Sequence, residues 1–573
     1  MHFYKRVLPV STLVLAIGFS LAWVVLDGFL HAQSDQLVIS GGTLIDGNGG
    51  PPLQDALLII KQGRIDQVSQ MGRLSLPQGA QVIDARGKTI LPGFIDGHVH
   101  FREWHGELYL ANGVTTIVDL GNADEWMIAL MRARELGKIR VPRIFSSGSR
   151  LGAEMSLRRK DLNRSIASNK PHFVFVDVEE AKRIIQEKKK KGLTVIKVDE
   201  TWTQGDLEEI AKMAHSLDLS VVGHTRDPRE AARAGQDAVM HMWGIVPATV
   251  GDPAKLEALR SGQVKDIYSL MDPSTFPELI SLLVSRKVFF DPQPFLDGPS
   301  NNEEQYESED YELLSRPELQ YIPLGARVAI ARKHHELKSK TSSERESFQN
   351  NYQAFLRQFV DAGGKLIVGT DTVVSSLPGV GLRRDMVVLQ ESGIDQMTII
   401  QAATKNPAEL YRLKELGTIE PGKQADIQIV NGNPLADLST LKNIEMVIIG
   451  GEIMDLTFHS DYRVGFERPY AEDAAALNPP RLGAIEPKTA VQGSDSVEIT
   501  VMGSRYDEFT TVLFNGTRLP TQAISSTRLK ATVDAELLRN PGTYRVSLED
   551  PRFLWRPSEE YYGFVVTHEN PLP

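Results

Sequence analysis

Cysteine is absent from the 573-residue chain. Its absence excludes thiol nucleophiles, disulfide frameworks, iron–sulfur clusters and every zinc site that uses cysteine ligands. Any metal ion in this protein must therefore be held by histidine, carboxylate or chemically modified lysine side chains.

An excess of positive charge is also lacking. The 63 Lys and Arg residues are outnumbered by 74 Asp and Glu residues, which gives a formal net charge of -11. Such a chain, without a long basic run, lacks the electrostatic footprint of a nucleic-acid-binding protein. We therefore expect no nucleic-acid partner. The ordinary globular composition and the length together predict several folded domains.

The N-terminus has the order of residues that is typical of a secretory signal. Lys5 and Arg6 precede an apolar run over residues 7–26, and the small residue Ala32 follows. This order predicts a signal peptide over residues 1–32. The run is also long enough for an uncleaved membrane anchor, and that alternative stays open. Both interpretations place the remaining chain outside the cytoplasm, as a periplasmic, secreted or membrane-anchored protein.

Five regions follow one another along the remaining chain. Short glycine-punctuated strands predict a small β-sandwich that is built jointly from residues 37–90 and 417–460. Between them, residues 91–416 alternate apolar strands with helices, which predicts the α/β class and a parallel (β/α)8 TIM barrel. Residues 469–487 indicate a linker, and the clean alternation in residues 488–573 predicts a second β-sandwich.

One part of the barrel region breaks this rhythm. The acidic stretch 301–312 and the helical stretch 326–359 do not fit regular alternation. We interpret both stretches as an insertion that acts as a lid.

The pair His98 and His100 is well placed for chemistry. Residues i and i+2 of a strand face the same side. If Leu91 to His100 is the first barrel strand, both imidazoles project into the barrel at its carboxyl end, where barrel enzymes keep their active sites. The pair alone is weak evidence, because packing or chance explains it equally well.

Further polar residues occur where later apolar runs end. They are Lys197, His224, His241 and Asp371. Taken singly, each has a structural explanation, such as a core histidine or a helix cap. Taken together, they favour one shared site, since apolar strands have little reason to end so consistently in polar groups.

The chemistry of this set suits borderline divalent ions such as zinc. The lysine is unusual, because a protonated ammonium repels a cation. Lys197 must be neutral, displaced, or converted by carbon dioxide to a carbamate. The carbamate would let two metal ions share one site.

Several stretches of the sequence resemble the signature of the amidohydrolase superfamily of metal-dependent hydrolases. They are Pro92-Gly-Phe-Ile-Asp-Gly-His-Val-His100, Gly113-Val-Thr-Thr, Gly369-Thr-Asp371 and Gly417-Thr-Ile-Glu-Pro-Gly-Lys-Gln-Ala-Asp426. The resemblance covers residues 37–460 and implies a barrel flanked by a small composite β-sandwich.

The residue set resembles the branch of the superfamily with two metal ions and a carboxylated lysine, which includes imidazolonepropionase and prolidase-like relatives. It implies that His98, His100 and Asp371 hold the more buried ion, that His224 and His241 hold the exposed ion, and that Lys197 bridges both. Zinc is the expected metal.

The expected reaction is hydrolysis of an amide or peptide-type carbon–nitrogen bond in a small-molecule substrate. A hydroxide that bridges the two metal ions attacks the carbonyl. Asp371 acts first as general base and then as general acid. The Gly-Gly-His stretch that is common in prolidase-like members is not evident between Ser146 and Asp177, so substrate-binding residues are not carried over.

The final region resembles an IPT/TIG immunoglobulin-like domain. The resemblance rests on Val491-Gln-Gly-Ser, Val512-Leu-Phe-Asn-Gly, Ser525-Ser-Thr-Arg-Leu and Pro541-Gly-Thr-Tyr. It implies a spacer, or a module for surface or protein contacts, and no chemistry.

Two other functions remain open from the sequence. The first is a mononuclear, deaminase-like hydrolase with an unmodified Lys197, although Asp227 stands where such members often have glutamate three residues after His224. The second is a catalytically inactive surface protein that binds a partner. Metal content separates these alternatives from the two-metal enzyme.

Overall fold

The computed structural model describes residues 36–153, 173–372, 376–465, 480–550 and 561–568. The predicted signal or anchor segment, residues 1–32, lies outside these ranges, as does much of the predicted linker. Among the described residues, no helix is long and apolar enough to cross a membrane.

The first region and its return segment consist of short strands. The opening strands are β1 (Gln36–Leu44), β2 (Leu53–Lys61), β3 (Arg64–Gln70), β4 (Gln81–Asp84) and β5 (Thr89–Pro92).

The central region alternates strands and helices. Its strands are β6 (Phe94–Val99), β7 (Val114–Asp119), β8 (Arg143–Ser146), β9 (Arg150–Ala153), β10 (Phe173–Val176), β11 (Val195–Val198), β12 (Ser220–Gly223), β13 (Ala238–Met240) and β14 (Phe289–Asp291). Its first eight helices are α1 (Gly106–Ala111), α2 (Asp124–Glu135), α3 (Val178–Lys190), α4 (Gln204–Ser216), α5 (Pro228–Ala234), α6 (Ile245–Ala248), α7 (Pro253–Arg260) and α8 (Phe276–Ser285). The later helices are α9 (Pro294–Asp297), α10 (Glu303–Ser315), α11 (Leu324–Lys338), α12 (Ser342–Ser347), α13 (Gln353–Asp361), α14 (Val380–Glu391), α15 (Gln396–Ala402) and α16 (Lys405–Leu410).

The chain then returns to strands, with two short 3-10 helices, Leu438–Lys442 and Ala535–Leu538, among the described residues. The return segment contributes β15 (Ile427–Val430), β16 (Ile444–Ile449) and β17 (Glu452–Ile453). The last region contributes β18 (Arg481–Glu486), β19 (Thr489–Val491), β20 (Val497–Ser504), β21 (Thr511–Phe514), β22 (Thr517–Arg518), β23 (Thr521–Ser525), β24 (Arg528–Val533), β25 (Gly542–Glu549) and β26 (Tyr562–Thr567).

The opening strands and the return segment form one sheet. Its order is β17-β16-β15-β5-β1-β2-β3, with β4 paired to β1. The antiparallel pair β5–β15 joins the two segments, and their apolar residues share one buried cluster, for example Ile39, Leu58 and Ile427. Where the sequence predicts a β-sandwich, the structure has one continuous eight-stranded sheet.

The predicted first barrel strand, Leu91 to His100, is two separate strands. Leu91 lies in β5 of the eight-stranded sheet, whereas β6 begins at Phe94. Gly93 separates them, and a Cβ atom there would lie 2.2 Å from Thr115. The parallel region therefore begins at residue 94, a few residues after the predicted boundary.

The central strands are parallel and lie in two sheets, β6-β7-β8 and β10-β9-β11-β12-β13-β14. In the described residues, helices connect most of the successive strands, with β8 and β9 as an exception, which confirms the α/β class. Backbone contacts connect the two sheets. The Thr194 amide donates to the Ser146 carbonyl, and single parallel bridges pair Phe290 with Leu366 and Val99 with Thr372.

Part of the predicted insertion belongs to the regular connection between β14 and the segment 366–368. Helices α10 and α11 pack on each other, and the buried contact between His334 Nε2 and Asp310 Oδ2 at 2.7 Å links them. Helix α13 is different, because its Phe355 and Phe359 are fully buried in the main core beside Phe290 of β14. The assignment of residues 353–359 to the insertion was wrong.

The last region forms two sheets around their own apolar core. The orders are β18-β20-β24-β23 and β19-β26-β25-β21-β22. Strand β18 pairs with β20, so the β region begins at Arg481, inside the predicted linker of residues 469–487. The C-terminal boundary predicted for the linker, residue 487, is therefore too late. The IPT/TIG assignment of this region stays a prediction.

Candidate metal centre

The two histidines of the opening motif stand at the carboxyl end of β6. His98 is its penultimate residue and His100 follows its end. Their ring centroids are 5.6 Å apart, and the side chains are buried, with 0% and 7% of each residue exposed. The i, i+2 spacing brings both imidazoles to one side of the strand, as predicted.

The other four predicted residues join this pair. Lys197 lies in β11, His224 follows β12, His241 follows β13, and Asp371 follows the extended segment 366–368. Asp371 Oδ1 lies 3.1 Å from His100 Nε2 and 3.7 Å from His98 Nε2, and its Oδ2 lies 3.6 Å from His241 Nε2. Lys197 Nζ is 3.4 Å from His98 Nε2, and the His224 and His241 rings are 5.1 Å apart. All six side chains therefore belong to one cluster.

Strained backbone positions two members of this cluster. His241 and Asp371 have φ values of 61° and 45°, in the left-handed region that side chains other than glycine seldom adopt. Such residues cost about 1–3 kcal/mol each and persist where the surroundings over-determine them. Here the His241 amide donates to the Asp291 carbonyl, and the Asp371 amide donates to the His98 carbonyl. The strand ends thus hold both side chains toward the cluster.

Close packing fixes the segment that precedes Asp371. A Cβ atom on Gly369 would lie 2.4 Å from His98 Cβ, so only glycine fits at this crossing. Thr370 Oγ1 donates to Asp96 Oδ2 at 2.7 Å, and the Thr370 amide donates to Asp96 Oδ1 at 3.1 Å. Asp96, which is fully buried in β6, therefore ties the Asp371 turn to the strand that carries His98.

The sequence patterns did not predict two residues that contact His98 on the side of the ring away from the other ligand-type residues. His98 Nδ1 lies 2.9 Å from Asp291 Oδ2 and 2.8 Å from Gln293 Nε2. These contacts occupy Nδ1 and leave Nε2 facing the other ligand-type residues. A signal for Asp291 was present, because this residue also ends an apolar run, Val288-Phe-Phe.

Burial sets the protonation of the histidines. It lowers the pKa of His98 and His224 well below the usual range, and it lowers the pKa of His241 to about 3. Burial alone would raise the pKa of Asp371, but the contact with His100 and the charge of Lys197 lower it to about 2. Neutral imidazoles and an ionised carboxylate are the states that metal binding requires.

Lys197 is fully buried, and its environment disfavours the ammonium form. Burial and the nearby charge of Arg150 lower the pKa of Lys197 to about 7. With this pKa, a substantial fraction of the amine is neutral near pH 7, and the neutral amine can react with carbon dioxide whereas an ammonium cannot.

The side chains fit a metal ion in this position. Both ring nitrogens of His241 are buried without a hydrogen-bond partner among the described residues. Ligand atoms from His98, His100 and Asp371 all lie within 4.8 Å of one another. Imidazole nitrogen and carboxylate oxygen are ligands that zinc and similar ions accept. Unpaired, buried nitrogen is costly unless such a ligand satisfies it.

An opening lies beside the cluster. A cavity of about 340 Å³ is lined by His224, Trp202, Asp199 and Arg226 among others. Trp243 stacks on His241 with ring centroids 4.1 Å apart and is 52% exposed, which is unusual for tryptophan. The cluster is thus bordered by an aromatic wall and by a space of ligand size.

Comparisons with known proteins agree with the motifs. Over 92 residues, the chain is 42% identical to the N-acyl-D-aspartate deacylase of Alcaligenes xylosoxydans xylosoxydans, which is 15% of this chain and 18% of the deacylase. Over 430 residues, it is 23% identical to the adenine deaminase of Rubrobacter xylanophilus, which is 73% of this chain and 57% of that protein. The chain thus spans less than two thirds of these curated relatives.

A solved structure shares the fold over a similar part of the chain. A Xaa-Pro dipeptidase with methionine bound in its active site superposes with a TM-score of 0.53 at 21% identity. The match covers 73% of this chain and all of the dipeptidase chain. The sequence profile of the Amidohydrolase family matches residues 89–454, which is more than half of the chain. The resemblance in the motifs is thereby confirmed, and the chain belongs to the amidohydrolase family.

Proposed function

We propose that this chain is an exported metal-dependent hydrolase that cleaves an amide or peptide-type carbon–nitrogen bond. The observation that carries the proposal is the convergence of six ligand-type side chains from separate strand ends. The unpaired nitrogens of His241 are part of this convergence. The relatives in the comparison support the bond type, because a deacylase, a deaminase and a dipeptidase all act on carbon–nitrogen bonds.

The proposed scaffold is a closed (β/α)8 barrel. Its eight positions are β6, β7, β8 continued by β9, β11, β12, β13, β14 and the segment 366–368. The Thr194–Ser146 hydrogen bond and the bridges at Phe290–Leu366 and Val99–Thr372 support closure. In such a barrel the carboxyl ends of all strands meet on one face. His98 and Lys197 lie one residue before the ends of β6 and β11, and the other proposed site residues lie beyond the ends of their strands.

In the proposed site, His98, His100 and Asp371 would hold one metal ion, His224 and His241 would hold a second, and a carbamate on Lys197 would supply further ligand oxygens. Zinc is the proposed metal, since the donors are nitrogen and oxygen and cysteine is absent. Bound divalent ions would polarise the scissile carbonyl and lower the pKa of water.

Asp371 is the proposed general base and acid. Its carboxylate is 16% exposed and stands among His98, His100 and His241, so it faces the space where water and substrate would meet. Its low pKa keeps it ionised, and an ionised carboxylate in this position can accept a proton from the attacking water. The same oxygen then passes the proton to the leaving nitrogen.

The proposed export rests on the N-terminal sequence alone. Lys5 and Arg6 followed by the apolar run 7–26 have the order of a signal peptide or an anchor. Detecting the protein in the cytoplasmic fraction, with residues 1–32 intact and no membrane association, would contradict this part of the proposal.

One observation favours a mononuclear enzyme as the second candidate. Ligand atoms of His98, His100 and Asp371 all lie within 4.8 Å of one another, and His224 and His241 are not part of this group. One ion in this position would suit a deaminase-like reaction, and Lys197 would then act as an unmodified amine.

Metal content per chain separates the two candidates. The protein is purified without chelator and with bicarbonate present, and metals are quantified by mass spectrometry. We expect about two divalent ions per chain, falling toward one or none in Lys197→Ala. One ion that is indifferent to Lys197→Ala would favour the mononuclear enzyme. No bound metal, even after reconstitution, would leave only the binding-protein alternative.

A further inference from the structure

Arg150 is a cation beside the cluster that has no polar partner in the described part of the chain. It is the first residue of β9, it is only partly exposed, and its Nε is shielded from solvent without a hydrogen-bond acceptor. Its guanidinium carbon lies 4.3 Å from the centroid of the Phe173 ring.

The side chain lies next to a proposed metal ligand. A Cβ atom on Gly121 would be 2.9 Å from His100 Cε1 and 3.0 Å from Arg150 Nε, so both side chains meet over this glycine. The charge of Arg150 also reaches the rest of the cluster, where it lowers the pKa of Lys197. Arg150 therefore borders the space in which a substrate would lie.

Two other shielded arginines, Arg384 and Arg143, bind carboxylates. Arg384 makes a bidentate contact with Asp310, with both distances at 2.8 Å, and Arg143 binds Asp426 at 2.6 and 2.9 Å. A guanidinium is a rigid fork that matches a carboxylate. Arg150 has no carboxylate partner among the described residues, although it lies beside the cluster of ligand-type side chains. This indicates that its carboxylate partner belongs to the substrate.

We propose that Arg150 binds a free carboxylate of the substrate, so that the substrates are N-acylated amino acids or dipeptides. The proposal deepens the proposed function and rests on it. Because Arg150 adjoins His100, a carboxylate that binds it must be close to the scissile bond. The α-carboxylate of the amino acid that supplies the scissile nitrogen lies at such a short distance from that bond. Phe173 holds the guanidinium plane while the bound carboxylate completes its hydrogen bonds.

Two neighbouring arginines are less suited to this role. Arg102 Nη1 already donates to the carbonyls of His100 and Phe101, at 3.4 and 3.1 Å. Arg226 lines the cavity beside His224 but is exposed to water, which weakens any ion pair it forms. Arg226 therefore provides a matched control.

The experiment compares substrates that differ only in the carboxylate. N-acetylphenylalanine and glycylphenylalanine are each paired with the analogue in which 2-phenylethylamine replaces phenylalanine. For the wild-type holoenzyme we expect kcat/KM about 100-fold higher with the carboxylate. Arg150→Met should bring this ratio to within about threefold, and Arg150→Lys should give an intermediate ratio. Arg226→Met should keep the wild-type ratio. Metal content and circular dichroism establish that each variant is folded and loaded.

Binding provides a second readout that does not need turnover. In an Asp371→Asn background, calorimetry measures the dissociation constant of N-acetylphenylalanine with and without Arg150→Met. An increase of about 30-fold or more supports the proposal, even if the wild type hydrolyses none of these compounds and the proposed function fails. Equal hydrolysis of both members of each pair, or unchanged binding in the double variant, would overturn the role of Arg150 and leave the hydrolase proposal standing.

Discussion

Two cavities of nearly equal volume lie at opposite ends of the parallel strands. The cavity at the carboxyl end, about 340 Å³, adjoins His224, and the cavity at the amino end, about 330 Å³, is lined by Arg143, Arg412 and Tyr411. Volume does not distinguish them. The difference lies in the charged groups, because Arg143 and Arg412 at the amino end already have partners within the protein.

The partners at the amino end are structural. Arg143 binds Asp426, and Arg412 Nη1 binds Asp218 Oδ1 at 2.9 Å. At the carboxyl end, both nitrogens of His241 and the Nε of Arg150 lack partners among the described residues. Unpaired groups cost folding free energy that a ligand can recover, and paired groups do not. We therefore propose that the chemistry takes place at the carboxyl end and that the paired groups at the amino end contribute stability.

The largest expected effect is at Asp371. Asp371→Asn removes the proposed proton acceptor while it keeps an oxygen of similar size at the same position. We expect kcat to fall about a thousandfold or more, with metal content close to wild type. Steady-state kinetics on the metal-loaded variant measures this, and near-normal turnover would contradict the role of Asp371.

Metal affinity should depend on Asp291, which contacts Nδ1 of His98. Asp291→Asn alters the contact that orients the imidazole, and we expect metal affinity to fall about 10- to 100-fold. Competition with a chelator measures it. Asp385→Asn is the matched control, because Asp385 is also buried and acidic but accepts from the Phe295 amide instead of contacting a proposed ligand. An equal loss in both variants would show that the effect is general.

Sequence patterns predicted much of this site because of simple strand geometry. The i, i+2 spacing of His98 and His100 and the polar ends of four later runs gave all six residues that the structure brings together. The fold class followed from alternation. The last run, Lys365 to Val368, was less regular than expected, since it pairs through a single bridge at Leu366.

Arg150 and the crossover helix α13 could not be predicted in this way. The serines and glycine at 147–149 interrupt the apolar pattern before β9, so the strand that carries Arg150 was not apparent. Helix α13 continues a long helical stretch whose first part is polar. Only the packing of Phe355 and Phe359 against the buried residues of the central region distinguishes α13 from the insertion. Both depend on tertiary contacts.

At the amino end, a substitution should change stability alone. Arg143→Met leaves Asp426, whose side chain is 6% exposed, with the Gly450 amide as its remaining partner in the described structure. We expect a loss of about 2 kcal/mol in the free energy of unfolding. Denaturant titration measures this loss. Turnover and metal content should be unchanged, and a fall in either would show that this cavity also serves the reaction.

The smallest effect is expected for an exposed pair at the same end. Lys365 Nζ lies 2.5 and 2.6 Å from the two oxygens of Glu409, but about half of each side chain is exposed. Water and salt screen such a pair, so Glu409→Gln should change the free energy of unfolding by about 0.5 kcal/mol or less. The difference should shrink as salt is raised. A loss as large as that of Arg143→Met would contradict burial as the reason for the difference, because the two pairs have similar contact distances and differ mainly in exposure.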